Sequence, residues 1–232
     1  MCSSDLAAGV IDKVHGGATV RESLSAQEPG FEAKSRRQLR EKDAIAQVAG
    51  DLAKPGQVIG LTGGTTTWRL ARHLTDVRDL TVVTNSIEVA NVFHRKPNPD
   101  LAVVLTGGVR TPPDALVGPV ALTTIRSLQL DVLFMGVHGV SDDAGLTTPN
   151  LLEAEADRAF VESAKAVVVV ADHTKWGVRG LSRIAGLDEV HVFVTDSDID
   201  SGARRAIESQ VGRLLVAPLR AGARARRNAR SG

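Results

Sequence analysis

Cysteine is nearly absent. The 232-residue chain has one, Cys2, which excludes an internal disulfide framework and fits a reducing compartment, the cytoplasm. Long apolar runs are missing as well: none approaches the roughly 18–20 residues of a membrane span. Nor does the chain open with the charged segment and apolar stretch of a signal peptide. Net charge is small. The 28 basic and 27 acidic residues leave +1, too little for the main body to hold nucleic acid by charge alone. The six histidines show no metal-ligand spacing and no Cys-x-x-Cys pattern occurs, so neither metal nor cofactor is expected. No internal repeat is evident.

What is present suffices for a packed core, with 43% hydrophobic and 24% charged residues. Residues 1–35 are rich in Gly and Ser, and basic residues cluster at Arg36, Arg37, Arg40 and Lys42 and again between Arg220 and Arg230. Leu39, Ala46, Ala49 and Ala53 recur at helical spacings, and Pro55-Gly56 ends the pattern, so a helix is expected from Arg37 to Leu52. Short Val/Ile/Leu runs follow at Val58–Leu61, Leu80–Val83, Leu101–Leu105, Asp131–Val137, Ala166–Val170, His191–Val194 and Leu214–Val216. Helical patterns separate most of them, at Thr66–Leu74, Ser86–Phe93, Val117–Leu128 and Leu151–Ala164. Apolar strands alternating with helices predict an α/β fold with a mostly parallel sheet covered on both faces.

The strand ends carry the chemistry. Open α/β sheets bind ligands at the carboxyl ends of their strands. Here those ends read Thr62-Gly63-Gly64-Thr65-Thr66-Thr67, Thr84-Asn85-Ser86, Thr106-Gly107-Gly108, His138-Gly139 and Asp172-His173-Thr174-Lys175. The glycines at 63 and 64 admit close backbone approach, and the helix that follows offers free amides to an anion. No Gly-Lys-Thr follows, so this is not a Walker loop; an ordinary threonine-capped turn is the bland alternative. Ser86 is a natural helix cap, and Asn85 is placed to meet a sugar hydroxyl. Lys175 is placed to meet a phosphate as a point charge. Asn150 caps the next helix, with Glu153 reaching back to it. On that helix Glu155 lies beside the apolar stripe, either toward a ligand or paired with Arg158 one turn on.

Taken in order and spacing, these segments resemble the DeoR family of transcriptional regulators. The resemblance runs from about Val10 to about Asp196 and is carried by Val14-His15-Gly16-Gly17-Ala18, the turn at 63–67, Val82–Ser86, Leu105–Gly108, Leu116–Pro119, Gly136–Val140, Gly145–Pro149 and Val170–Gly177. It implies a winged helix-turn-helix head followed by a sensor similar in fold to ribose-5-phosphate isomerase and glucosamine-6-phosphate deaminase. By the same resemblance, Gly64, Thr65 and Thr66 cradle a phosphate, Asn85 and Ser86 touch the sugar and Lys175 helps hold the charge; Gly63, Thr67, Gly107, Gly108, His138, Glu155 and Asp172 complete the expected effector site. The chain departs from the family at His138, where an acidic residue is common, and at Asp157, where a basic or polar one is common.

The implied layout is a wing remnant at 1–20 (His15, Gly16 and Gly17 on the DNA side), a linker at 21–36, the sensor at 37–218 and a basic, disordered tail at 219–232. Too few residues precede Val10 for a recognition helix, so the expectation is a chain lacking most of its DNA-binding domain, its first residues foreign to the native frame. The function expected is a repressor that senses a phosphorylated sugar, works as a homo-oligomer and meets operator DNA through that missing head. An isomerase or deaminase of the same fold, with Asp142, Asp143 or Glu155 as base, is the enzyme alternative. A pure scaffold would leave the polar strand ends unexplained.

Overall fold

A computed structural model of the chain describes residues 30–219, together with the backbone of 11–14 and 17–20. The expectations for His15, Gly16, Cys2 and the tail from residue 220 onward lie outside the described residues.

Near the start, β1 (Ile11–Val14) and β2 (Gly17–Val20) pair antiparallel, with Val14 opposite Gly17. Two helices lead into the main body, a short α1 (Phe31–Ser35) and α2 (Leu39–Gly50). The helix expected from Arg37 begins instead at Leu39, because Gln38 takes the left-handed conformation (φ 49°, ψ 49°) and interrupts the helical path.

The body is a seven-stranded sheet. Its strands are β3 (Val58–Leu61), β4 (Leu80–Thr84), β5 (Leu101–Leu105), β8 (Val132–Met135), β11 (Val167–Val170), β13 (Val192–Asp196) and β14 (Arg213–Ala217), in the spatial order β14-β13-β11-β8-β3-β4-β5. Every pairing in it is parallel. The pleat sends alternate side chains to opposite faces. Leu133, Met135, Val167 and Val169 join one core, under α5 (Pro119–Arg126), α6 (Leu151–Glu162) and α7 (Ser201–Glu208). Phe134, Val168 and Val170 join the other, under α2, α3 (Thr65–Leu74) and α4 (Ile87–Arg95). For the interior strands, burial on both faces is why they read as continuous apolar runs.

Strands β3 and β5 run as expected. Between β13 and β14 the sequence pattern gave no helix, yet α7 forms there. Only Ala203 and Ile207 of α7 are buried, too few to mark a period, and Asp200 caps it by accepting from Gly202 and Ala203. Smaller antiparallel pieces hang on the strand ends. They are the pair β6 (Val109–Arg110) and β7 (Leu116–Val117), and a three-stranded sheet of β9 (Gly139–Ser141), β10 (Gly145–Thr148) and β12 (Ser182–Ala185). No helix among the described residues is long and apolar enough to cross a membrane.

Candidate functional site

The chain winds outward from β3 through β4 to β5, then returns to place β8 on the other side of β3 and winds outward again. The connections after β3 and β8 therefore leave in opposite directions, and a crevice opens between them at the carboxyl edge, the usual ligand position in such sheets. A cavity of about 720 Å³ lies there, within the few-hundred to 1,000 Å³ typical of small-molecule sites. Gly63, Gly64, Thr65 and Thr66 line it from the end of β3, Gly136 and His138 from the end of β8, and Asp172 and Lys175 from the end of β11.

The wall after β3 is the start of α3. Gly64 is its N-cap residue and makes no side-chain cap, so the first amides of the helix have no intrahelical acceptor. Gly63 packs against the backbone of the β6–β7 connection; a Cβ on it would lie 3.1 Å from that of Ala115. Its own amide donates to Asn85 Oδ1 (2.8 Å), and Asn85 Nδ2 donates to the carbonyl of Leu116 (3.3 Å). A buried asparagine thus fixes the turn to its neighbours. Asp114, fully buried, ties the next layer: its Oδ2 accepts from the Ser86 hydroxyl (2.7 Å) and the Glu88 amide (2.9 Å), and its Oδ1 accepts from Arg110 Nε (2.9 Å).

The wall after β11 is a 3-10 turn, His173–Lys175, whose cap is Asp172. Thr174 donates to that carboxylate from both its amide and its hydroxyl. His173 is held from behind by Asp196, which accepts from its backbone amide (2.8 Å) and lies 2.9 Å from its ring Nδ1. His173, Asp196 and Asp198 bring ligating atoms within 4.8 Å of one another. Sequence spacing could not reveal that group, because β11 and β13 become neighbours only in the sheet; its visible work is to bind the turn to β13.

The third wall is Lys42 on α2. It is buried, and its Nζ donates to the carbonyls of Lys34 (2.7 Å) and Arg37 (2.8 Å). Burial pushes its pKa down to about 8; nearby Lys175, Lys34 and Arg69 add to the fall, and Asp172 opposes it.

Several residues expected at the site lie off this wall. Thr67 turns its hydroxyl inward, to the carbonyls of Thr62 (2.7 Å) and Gly64 (2.9 Å). Asn85 braces the cradle from behind, and Ser86 is a helix cap that accepts from the Val89 amide. Gly107 and Gly108 both have positive φ, and a Cβ on Gly108 would approach the carbonyl oxygen of Val117 to 2.5 Å. They shape the turn into β6. Glu155 is not on the wall either, and Arg158 goes to the carbonyl of Arg183 and the Ser182 hydroxyl. The α6 face that does reach the cavity carries Glu153 and Asp157, one turn apart. Asp142 accepts from Gln210, and Asp143 pairs with Arg179, whose hydrogen bond lowers the Asp143 pKa.

Residues 37–197 match the family described as the DeoR C-terminal sensor domain. The chain belongs to the DeoR family. Over 202 residues it is 38% identical to the HTH-type transcriptional regulator GlpR of Haloferax volcanii, covering 87% of this chain and 78% of that protein. It is 34% identical over 193 residues to the HTH-type transcriptional regulator GolR of Listeria innocua, covering 83% and 75%. Among solved structures, ribose 5-phosphate isomerase A of Methanocaldococcus jannaschii aligns over 58% of this chain and 53% of its own at 19% identity, with a TM-score of 0.42.

In this DeoR-family chain the sequence reading missed Lys34, Arg37, Gln38, Lys42, Glu153 and Asp157 as cavity residues. Arg37 and Lys42 stood out only as part of a basic cluster, and Glu153 only as a cap partner. The available signal was the i, i+4 spacing of Glu153 and Asp157, which shares a helix face.

Proposed function

We propose that this chain is the effector-sensing part of a DNA-binding repressor, that its effector is a phosphorylated sugar, and that the phosphate sits at the start of α3. The observation that carries the reading is the convergence, on one cavity at the sheet's switch point, of the uncapped α3 N-terminus with Lys42 and Lys175. Helix-start amides and ammonium groups together favour a compact anion. Glu153, Asp157 and His138 on the remaining wall would take sugar hydroxyls. The relatives given above carry the names of transcriptional regulators, and the chain is read as a regulator, not an enzyme. Residues 1–20 would be the end of a winged head, 21–36 its linker and 37–218 the sensor. A homo-oligomer would supply the symmetry a paired operator requires, in the cytoplasm with the DNA.

The test is calorimetric titration with a panel of phosphosugars and the matching free sugars, followed by product analysis. A phosphosugar is expected to bind and to be recovered unchanged, with its free sugar at least about tenfold weaker, the loss of one charge-assisted contact. Equal affinity for the pair sinks the anion assignment, and conversion of the ligand sinks the regulator.

The same titration has an expected pH profile. A phosphate monoester gains its second charge near pH ~6, so affinity rises through that point. Lys42 loses its proton near about 8, so affinity falls again above it. Asp172 faces Lys42 from the end of β11 and favours its charged form; Lys175 from the same turn, Lys34 from α1 and Arg69 from α3 disfavour it. A bound dianion adds to the Asp172 side, so binding near pH 8 takes up protons. A profile flat from neutrality to pH ~9, between these pKa values and that of an ordinary lysine, removes Lys42 from the site.

A further inference from the structure

Part of the cavity wall comes from the segment that leads into the body. Lys34, Arg37 and Gln38 all line the cavity, and all lie before α2 begins at Leu39. None of residues 31–38 is fully buried. Helix α1 has no buried residue. Phe31 meets Trp68 of α3 edge-on, with ring centroids 5.7 Å apart, and Trp68 in turn lies against the guanidinium groups of Arg69 and Arg72. Arg69 Nη2 reaches the carbonyl of Ser35 at 3.5 Å. Lys42 ties the segment further, its ammonium holding the carbonyls on either side of the turn, Lys34 and Arg37. Between those carbonyls and α2 stands Gln38 in the left-handed region, a conformation a residue with a Cβ adopts only when its surroundings enforce it.

We propose that the effector's anion is gripped from two sides, by the start of α3 and by the Lys34–Lys42 segment, and that this grip fixes α1 against the body. The inference rests on the anion reading above and adds the means of regulation. Without an anion, cations from α1, α2 and the β11 turn share one polar space with the carboxylates of Glu153, Asp157 and Asp172, and α1, which buries no residue, has little packing to hold it there. A dianion in that space attracts all of the cations at once. It therefore binds the docked arrangement better than any loosened one, and differential affinity of that kind shifts the population toward the docked state. Occupancy of the cavity therefore sets the placement of α1, the element through which the preceding chain joins the body. Gln38 is the pivot, because it joins the segment to α2 and already holds a conformation that relaxes when the tie is released.

The test is hydrogen exchange of the full 232-residue chain, with and without inorganic phosphate at a concentration shown by calorimetry to saturate. Trp68 fluorescence, read in a Trp176→Phe background, serves as a second readout of α1 docking. Phosphate is expected to slow exchange of the amides from Phe31 to Gln38 by about tenfold or more, the scale of a coupling worth one charge-assisted contact. The double variant Lys34→Ala/Arg37→Ala changes only half-buried and exposed side chains, so its fold is expected to stand. It should still bind phosphate through α3 and Lys175, more weakly, and show no slowing at α1. Binding without slowing in the parent, or equal slowing in the variant, overturns the clamp and leaves the anion site intact. Absence of phosphate binding overturns both.

Discussion

A chain carrying Lys175→Ala is expected to bind its phosphosugar about tenfold to a hundredfold more weakly than the parent, and the unphosphorylated sugar no differently. Lys175 ends the 3-10 turn after β11 and lines the cavity with Gly64 and Thr65. The turn is fixed before any ligand arrives: the Lys175 amide donates to the Asp172 carbonyl (3.0 Å), and Asp196 pins the residue two positions earlier. The backbone that carries the ammonium is therefore ordered in advance, and only the lysine side chain remains to be ordered on binding. A hydrogen bond to a charged group contributes about 1.5–3 kcal/mol, and about 1.4 kcal/mol is a factor of ten. Thr65→Val keeps the bulk, removes a hydroxyl donor and is expected to lose less. Paired calorimetric titrations decide the matter, and equal losses for phosphorylated and free sugar would place Lys175 on the sugar instead of the phosphate.

The largest expected loss of stability is for Phe134→Ala. Phe134 is fully buried at the centre of β8, which pairs with β3 on one side and β11 on the other. Its ring belongs to the core of Ile45, Ile59, Leu61 and Leu70, so it joins α2 and α3 to the sheet. Truncating a buried phenylalanine removes its transfer energy and leaves a cavity the neighbours fill only in part, about 3–5 kcal/mol in all. Urea unfolding should show the midpoint displaced with the slope unchanged. Val103→Ala, on the exposed edge strand β5 where Val103 is 38% accessible, should shift stability by no more than ~0.5 kcal/mol. A loss below about 1 kcal/mol at Phe134 would mean that the site collapses around the smaller side chain.

Much of the fold was legible along the chain. Val58–Leu61 and Leu101–Leu105 were expected as strands and form at those residues; the first is a buried run, and the second, on the sheet edge, keeps an apolar run although it is largely exposed. The run from Asp131 to Val137 was read as one strand, but the structure ends it at Met135 and gives Gly136, Val137 and His138 to the cavity edge. The three-stranded sheet of β9, β10 and β12 left no comparable trace. Its strands have three or four residues, and Thr148 finds its partner at Ser182, a pairing without local periodicity.

The sequence by itself determined where the polar strand ends are, and in a parallel sheet all of them come to one edge. Gly63–Thr66, His138, Asp172 and Lys175 could therefore be named as one group before any coordinates. Which polar residues face the space and which face the protein was decided only by tertiary structure. Asn85 and Ser86 stand at a strand end as good as any, yet the β6–β7 connection folds over them and takes up their hydrogen bonds. Lys42 stood out in the sequence only as part of a basic cluster on an expected helix, yet that helix covers the sheet and buries its ammonium beside the cavity. Both outcomes follow from placing β3 beside β8, residues more than seventy positions apart (the Val58 amide donates to the Asp131 carboxylate). That pairing is fixed by the packing of two whole cores, and no local pattern of side chains encodes it.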